Sequence, residues 1–574
     1  MVKFVSLFIM NHAVVLIGGE AGQGIFYAGD IFCKAILEGG LEFFSRVEFP
    51  SLIRGGHNSI NIRVSDKEVR SSLKNYDLIV ALDENTVNQH KSLLKSSGRI
   101  ICNEGIKVEG VEVYHVPFEK ILKKFEATSI LKNAIALGAT CAVLSYDFKF
   151  LEQAIRKDLD SKKVDKKLIV KNIEVSKFAY DYIQKNYGDD FEIKLEGGRS
   201  KNKRMINGNR SLVEGALKAE CKFMGAYPMS PATSIMEEFD KTEGVVMKQA
   251  FDEIGAIGFA LGASFAGVRS MTATSGGGLD LMGEFVSLVG SSEQPLVIVD
   301  VQRPGAATGL PTRQGQSDLN LVLNVGHGEF PRVVLVPGDV EELYYETFNA
   351  FNIADKYQLP VLVLSDKHLA SSVASLSVFD SKNLVVDRGE IVVGDVVGYK
   401  RFSITESGVS PRSIPGKGPV FNSSSDEHNE EGLIFEGADN KVVMEDKRFR
   451  KLEALKKELV SPKLYGEENV DITLVSFGST KAAVLEALGD LKNENVNVNF
   501  LQLICVCPFP SEYVQSVLSK SKKIICVEEN KTGQLASLIR RETGIEIKEK
   551  LLKYDGRAFF PCEIFDRVLE VYNG

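Results

Sequence analysis

The sequence predicts an α/β protein assembled from several open, parallel-sheet domains, and three features predict it. Strand-like apolar runs alternate with helix-length amphipathic segments along most of the 574 residues. Glycine-rich turns stand where a strand gives way to a helix, and the strand runs are apolar throughout, as a sheet covered on both faces requires. At ~100–200 residues per domain, the length corresponds to about three to four domains.

The elements follow in order. A strand over Ala13–Ile17 leads into Gly18-Gly-Glu-Ala-Gly-Gln-Gly24 and a helix over about Phe26–Leu37, with further strands at Asp77–Leu82 and Arg99–Cys102. Helical patterns occupy 129–145 and 166–186, closing a first domain over 11–190. The Gly-, Asn- and Lys/Arg-rich stretch 187–210 reads as a linker. A second domain, 205–385, alternates strands at Val245–Met247, Ser270–Thr274, Leu296–Val301, Val333–Val336 and Val361–Leu364 with helices. Residues 386–465 are rich in Pro, Gly, Ser and acidic clusters and read as an insertion or long ordered loop. A last α/β domain, 466–574, opens at Asp471–Ser476.

Composition narrows the function classes. With 44% hydrophobic and 25% charged residues the chain is an ordinary globular protein, neither disordered nor fibrous. A net charge of -8, from 69 basic and 77 acidic residues, gives no sign of a nucleic-acid or anionic-membrane partner. The apolar run Phe4–Met10 is too short for a membrane span, which needs about 20 residues, and no cleavage site follows. Eight scattered Cys, without a CxxC or a ferredoxin-type cluster run, point to a reducing cytoplasm and a soluble protein without its own iron–sulfur cluster. Cys505 and Cys507 share a strand face, where packing is favoured over metal ligation.

Two polar loops in the first domain read more readily as turns than as sites. The cluster Gly19–Gly24 lacks the G-x-G-x-x-G spacing of dinucleotide folds, and Arg54-Gly-Gly-His-Asn-Ser59 has the look of a hairpin. The richer constellation lies at 227–312. Tyr227-Pro-Met-Ser-Pro231 fixes the Ser230 hydroxyl between two prolines, suiting a polar substrate group or simply a rigid turn. Glu253 opens a helix carrying Gly255, Gly258 and Gly262 on one face, each costing about 1 kcal/mol in propensity. That face is expected to meet a backbone or a flat ligand, and Glu253 to be buried. Strand Leu296–Val301 ends at Gln302-Arg303, where an arginine can bind a carboxylate bidentately or form a surface salt bridge.

In this order, YPMSP, QAFDEIGAIGFALGASFAG, MTATSGGGLDLM and PLVIVDVQRPGAATGLPTRQGQSDL resemble the α subunit of 2-oxoacid:ferredoxin oxidoreductases. GGEAGQGI with IRGGHNS resembles the γ domain of the same enzymes, here fused ahead of α; Tyr399-Lys-Arg-Phe, Gly408–Arg412, Asp426-Glu-His428 and Glu528–Gln534 resemble later α segments. The resemblance implies a γ-type domain, a thiamine pyrimidine-binding domain and a transketolase C-terminal-like domain. It implies oxidative decarboxylation of a 2-oxoacid, with 2-oxoglutarate favoured, to acyl-CoA through thiamine diphosphate, coenzyme A and ferredoxin. A β subunit with a Gly-Asp-Gly motif holds the diphosphate and Mg²⁺ in that family and carries the iron–sulfur cluster. This chain has no Gly-Asp-Gly triplet, so the resemblance implies half of a shared site in an (αβ)n oligomer.

Residue by residue, Glu253 matches the glutamate that contacts N1′ of the aminopyrimidine, favouring the tautomer whose 4′-nitrogen takes the C2 proton. Ser230 matches a substrate-binding threonine, and Arg303 an arginine that binds the substrate carboxylate or carbonyl; Thr308 adjoins them in the next loop. The alternatives are a complete thiamine enzyme, which the absent Gly-Asp-Gly disfavours, and a non-catalytic assembly or partner-binding subunit that retains the fold.

Overall fold

The computed structural model describes residues 11–50, 55–188 and 190–574. These form two compact units, 1–206 with 372–378, and 207–371 with 379–574.

In the first unit an eight-stranded sheet runs, in spatial order, Val113–Val116, Leu94–Asn103, Tyr76–Ala81, His12–Glu20, His57–Ser65, Glu42–Glu48, Val373–Ser377 and Lys203–Asn207. It is mixed rather than parallel. His57–Ser65 pairs antiparallel with His12–Glu20 along all nine residues and with Glu42–Glu48 on its other side. The loop reading of Arg54–Ser59 therefore changes: His57–Ser59 are strand, while Arg54 lies outside the described residues, as do residues 1–10. Strand 57–65 alternates apolar Ile60, Ile62 and Val64 with polar Ser59, Asn61, Arg63 and Ser65, which hid it from a search for unbroken apolar runs. The expected linker contributes strand Lys203–Asn207, and Val373–Ser377, which the sequence divides into the second domain, pairs with Glu42–Glu48 of this sheet. The glycine loop turns at Gly22 and Gly24, both at positive φ, with Gln23 closing it on Glu20 N, before the helix Ile25–Glu38.

The second unit is built on a seven-stranded sheet in the order Cys505–Cys507, Val333–Leu335, Pro360–Asp366, Leu296–Gln302, Ser270–Thr274, Phe223–Ala226 and Val246–Gln249. All pairs are parallel except that of Cys505–Cys507 with Val333–Leu335. The central strands are buried on both faces, which accounts for their unbroken apolar runs. A five-stranded sheet over 463–552 forms the C-terminal part. Both cysteines of 505–507 are free thiols, and no group of three metal-ligating side chains occurs among the described residues. No described helix is long and apolar enough to cross a membrane.

The segment expected as insertion or loop contains an 18-residue helix, Ala438–Leu455, and is tied down by buried charge. Lys447 donates to Glu293 at 2.6 Å, Lys451 pairs with the other Glu293 oxygen, and Arg401 donates to the Glu293 carbonyl. All three side chains of the Glu293–Lys447–Lys451 set are fully or almost fully buried. The two lysines hold the Glu293 carboxyl far below the usual carboxylate range, and burial drags Lys451 down to about 7. Nearby, Asp355 accepts from Arg269 at 2.7 Å and from Arg412 at 2.9 Å. Removing one partner of a buried set strands the other charges, typically at a cost of ~3–5 kcal/mol. Glu293→Gln is therefore expected to lower the stability of this unit by that amount, seen as an earlier urea midpoint for the transition that unfolds it; an unchanged midpoint contradicts the lock.

Candidate functional site

The carboxyl ends of parallel strands are where open α/β sheets collect ligands, because the following loops and helix starts diverge there. In the second unit these ends carry the three residues that sequence motifs single out. Strand Phe223–Ala226 leads through Tyr227-Pro-Met to Ser230; Val246–Gln249 leads to Asp252 and Glu253; Leu296–Gln302 ends one residue before Arg303.

Asp252 caps the helix Glu253–Phe265 by accepting the Gly255 N–H at 2.7 Å, which places Glu253 in the first helical turn. The Glu253 side chain is 5% exposed and has no hydrogen-bond partner among the described residues. It lies against Gly278: a Cβ there would come within 2.8 Å of Glu253 Cγ and 2.1 Å of Thr274 Oγ1. Thr274 Oγ1 in turn touches Met229 Sδ at 3.6 Å, beside Ser230. Arg303, 9% exposed, donates from Nη1 to the Ser230 backbone carbonyl at 2.5 Å. Burial pulls its guanidinium below the usual arginine range, opposed by Asp318 and Asp300. Ser230 itself is exposed, with its hydroxyl free of that contact. Glu253, Ser230 and Arg303 thus converge on one set of strand ends. Thr308 does not join them through any hydrogen bond among the described residues. It sits exposed on a tight turn closed by Leu310 N to Pro304 O, where Gly309 leaves no room for a Cβ.

The close approach expected of Gly255, Gly258 and Gly262 occurs elsewhere. Gly262 faces open space and Gly258 has only the Phe285 ring nearby. The helix meets the sheet with its alanine side instead: a Cβ on Gly225 would stand 2.1 Å from the Ala256 carbonyl. The glycine side is outward, among exposed Phe251 (97%), Ile254, Phe259, Phe265 and Leu281.

Several polar residues that sequence motifs did not single out hold the site from behind. Gln302 accepts the Asp318 N–H at 3.0 Å and donates to the Ser365 carbonyl. The Glu528–Gln534 segment clamps the chain after Arg303: Gln316 N donates to the Glu529 carbonyl at 2.8 Å, Asn530 to the Gln316 carbonyl, and Gln534 accepts Asn320 N. Glu529 accepts from Phe559 N and Gln314; burial and Asp366 push its carboxyl up to about 8. Their signal lay in the QRPGAATGLPTRQGQSDL and EENKTGQ motifs, whose partnership only the fold reveals.

Parallel strands whose carboxyl ends gather a nearly buried carboxylate, a nearly buried arginine and a polar loop are the ligand-binding arrangement of open α/β proteins. The comparisons narrow that class. Residues 214–447 match the family described as pyruvate flavodoxin/ferredoxin oxidoreductase, thiamine diphosphate-binding; residues 14–182 match pyruvate ferredoxin/flavodoxin oxidoreductase, and 470–564 its pyruvate:ferredoxin oxidoreductase core domain II. The 2-oxoacid:ferredoxin oxidoreductase subunit alpha of a Sulfolobus species is 32% identical over 626 residues, covering 97% of this chain and 96% of that protein. The 2-oxoglutarate synthase subunit KorA of Methanothermobacter thermautotrophicus is 33% identical over 64% of this chain and 98% of its own. The structure of 2-oxoglutarate:ferredoxin oxidoreductase from Magnetococcus marinus, with 2-oxoglutarate, coenzyme A and succinyl-CoA bound, superposes with a TM-score of 0.91 at 31% identity, covering 98% of this chain and 99% of that one. The chain belongs to the α subunits of 2-oxoacid:ferredoxin oxidoreductases, and it contains their thiamine diphosphate-binding domain.

The Gly278 contact is testable. Gly278→Ala forces Glu253 or Thr274 aside, and a displacement of about 1 Å at a reacting centre costs on the order of a hundredfold in rate. Turnover of the assembled enzyme is expected to fall by that order with far-UV circular dichroism unchanged. Gly489→Ala, whose Cβ meets nothing within 4 Å, is the control.

Proposed function

We propose that this chain is the γα-fused half of an enzyme that oxidatively decarboxylates a 2-oxoacid, 2-oxoglutarate by preference, to acyl-CoA. The other half of the site belongs to a β subunit that holds the thiamine diphosphate and Mg²⁺, carries the iron–sulfur cluster and passes electrons to ferredoxin. The observation that carries this reading is Glu253, a carboxylate 5% exposed and without a hydrogen-bond partner among the described residues, set at the strand ends against Gly278.

Thiamine diphosphate, when bound, supplies the carbon nucleophile and the electron sink that decarboxylation requires. The residues present fit its aminopyrimidine end: Glu253 offers the carboxyl that N1′ needs, and the buried Ser275 hydroxyl has no other partner. Glu253 would hold a proton at N1′. Arg303 would take the substrate carboxylate in a two-pronged hydrogen bond, and the Ser230 hydroxyl would orient it. The exposed Phe251, Ile254, Phe259 and Leu281 together with the outward glycine side form an apolar surface adjoining Glu253, which a β subunit would cover, excluding water from the carboxylate. The same surface favours the catalytic reading over a non-catalytic partner-binding one, because it borders the site rather than a blank face.

The chain purified alone is expected to be colourless and inactive toward 2-oxoacids, with both activity and iron–sulfur absorbance appearing on assembly with the β subunit. Decarboxylation by the chain alone overturns the split site. In the assembled complex, Glu253→Gln is expected to nearly abolish hydrogen–deuterium exchange at C2 of thiamine; near-normal exchange removes Glu253 from its role. Arg303→Lys replaces a planar fork with a point charge. Losing one charged hydrogen bond, worth ~1.5–3 kcal/mol, is expected to lower kcat/KM by roughly 10- to 150-fold with thiamine affinity unchanged.

A further inference from the structure

The turn that presents Ser230 is held at two consecutive carbonyls, and only one of the two holders has a task in the chemistry above. Arg303 donates from Nη1 to the Ser230 carbonyl at 2.5 Å. The next carbonyl, that of Pro231, accepts from Asn209 Nδ2 at 3.0 Å, and the same amide nitrogen donates to Ser234 Oγ at 2.7 Å. A carbonyl oxygen only accepts, so the Pro231 contact settles which way round the Asn209 amide lies. Asn209 is 1% exposed and lies in the 187–210 stretch that composition reads as a linker.

The element that carries Asn209 is firmly seated. Asn209 stands in the first turn of helix Gly208–Lys218, whose cap Asn207 accepts the Arg210 N–H at 2.8 Å. A Cβ on Gly208 would fall 2.3 Å from the Leu369 carbonyl, and one on Gly215 2.3 Å from the Tyr344 carbonyl. Between them Ser211 Oγ donates to the Val340 carbonyl at 2.5 Å. Backbone thus meets backbone on two turns of the helix, and a shift of Asn209 would need the whole contact to move. The turn itself closes through Ala232 N and Thr233 N, both donating to the Met229 carbonyl. Between the Ser230 and Pro231 carbonyls lie one planar peptide, the ring-locked φ of Pro231 and a single soft torsion. Holding the second carbonyl therefore holds the first.

We propose that Asn209 is a positioning residue for substrate capture: by anchoring the Pro231 carbonyl to a seated helix, it fixes the Ser230 carbonyl on which the Arg303 guanidinium is oriented. This rests on the reading of Arg303 as the substrate-carboxylate residue. A guanidinium is a rigid planar fork, so pinning one Nη1 hydrogen sets the direction in which its remaining N–H groups point. Without the Asn209 amide the Pro231 carbonyl turns about its soft torsion, the Ser230 carbonyl drifts with it, and the fork spreads over orientations of which only some meet a carboxylate with two bonds. The loss falls on binding of the 2-oxoacid. Thiamine is spared, because Glu253 stands on a different helix.

The test uses the enzyme assembled with its β subunit. Asn209→Ala is expected to raise KM for 2-oxoglutarate about tenfold, with kcat within about threefold of wild type and thiamine diphosphate affinity unchanged. A merely structural asparagine would instead lower the active fraction, so that kcat falls while KM stays. The route through Arg303 is read from the double variant, since residues that act along one chain of contacts do not contribute additively. In the Arg303→Lys background the tenfold effect of Asn209→Ala is expected to shrink to about twofold or less. Full addition of the two losses overturns the proposal, and so does an unchanged KM in Asn209→Ala. Should Asn209→Ala fail to assemble, Ser234→Ala takes its place: Ser234 is half-buried, and its loss removes one of the two acceptors that hold the amide. There KM is expected to rise about threefold, an effect that again fades in Arg303→Lys, and an unchanged KM counts against the proposal. Failure of the underlying reading is separate. Arg303→Lys with wild-type kcat/KM removes Arg303 from the substrate, whereas a loss there beside a wild-type KM in Asn209→Ala sinks Asn209 alone.

Discussion

The site depends on how closely one helix can lie on one sheet. Helix Glu253–Phe265 presses its Ala256 carbonyl to within 2.1 Å of the point where a Cβ on Gly225 would stand, and the Glu253 side chain occupies the space left free at Gly278. Two missing methyl groups therefore fix the height of the helix and the position of its first side chain. Alanine at Gly225 of the sheet must hold the helix farther off, and alanine at Gly278 of the short helix Gly276–Leu281 must push the Glu253 side chain aside. Interiors packed to crystal density transmit such a shift rather than absorb it.

That approach also sets the electrostatics. A helix seated so low shields the strand ends from water, so the charges there are handled by pairing, by protonation or by ligands. At the opposite, amino ends of the strands the Glu293–Lys447–Lys451 and Asp355–Arg269–Arg412 sets show pairing: ion pairs buried with close geometry, tying the 386–455 stretch onto the sheet that it follows. Glu529, carried up to about 8, shows protonation. Glu253 has no pairing partner among the described residues, and on the proposed reading its donor comes from outside the chain. The same unit thus contains carboxylates of similar burial whose states diverge according to what each one faces.

Much of this was legible in the sequence, for physical reasons that also explain the rest. The strands of the second unit are buried on both faces and wrote themselves as apolar runs, Leu296–Gln302 and Pro360–Asp366 among them. Glu253, Arg303 and Ser230 lay in motifs with strong local constraints. The outward glycines of the Glu253 helix were expected to meet a backbone or a flat ligand, and no backbone among the described residues comes close to them. Strand His57–Ser65 was missed because its apolar residues alternate with polar ones between two antiparallel neighbours, whereas the search followed unbroken apolar runs. Val373–Ser377 crosses into the first sheet by pairing with residues over 300 positions away, which no local pattern records.

The outward apolar side of the Glu253 helix completes the argument. Exposed Phe251, at 97%, directly precedes the Asp252 cap and the buried Glu253, so the residues that invite a covering surface and the residue that needs a dry site are consecutive in the chain. Covering Phe251 and Ile254 removes apolar area from water, and in the same act deprives Glu253 of the solvent that would otherwise compete for its hydrogen bonds. A carboxylate in contact with bulk water is a weak partner for a ring nitrogen; one sealed beneath an interface is a strong one, because lowering the local dielectric strengthens every remaining hydrogen bond. On the proposed reading, assembly and activation are therefore a single physical event: the hydrophobic face that drives association is the lid that makes the carboxylate effective.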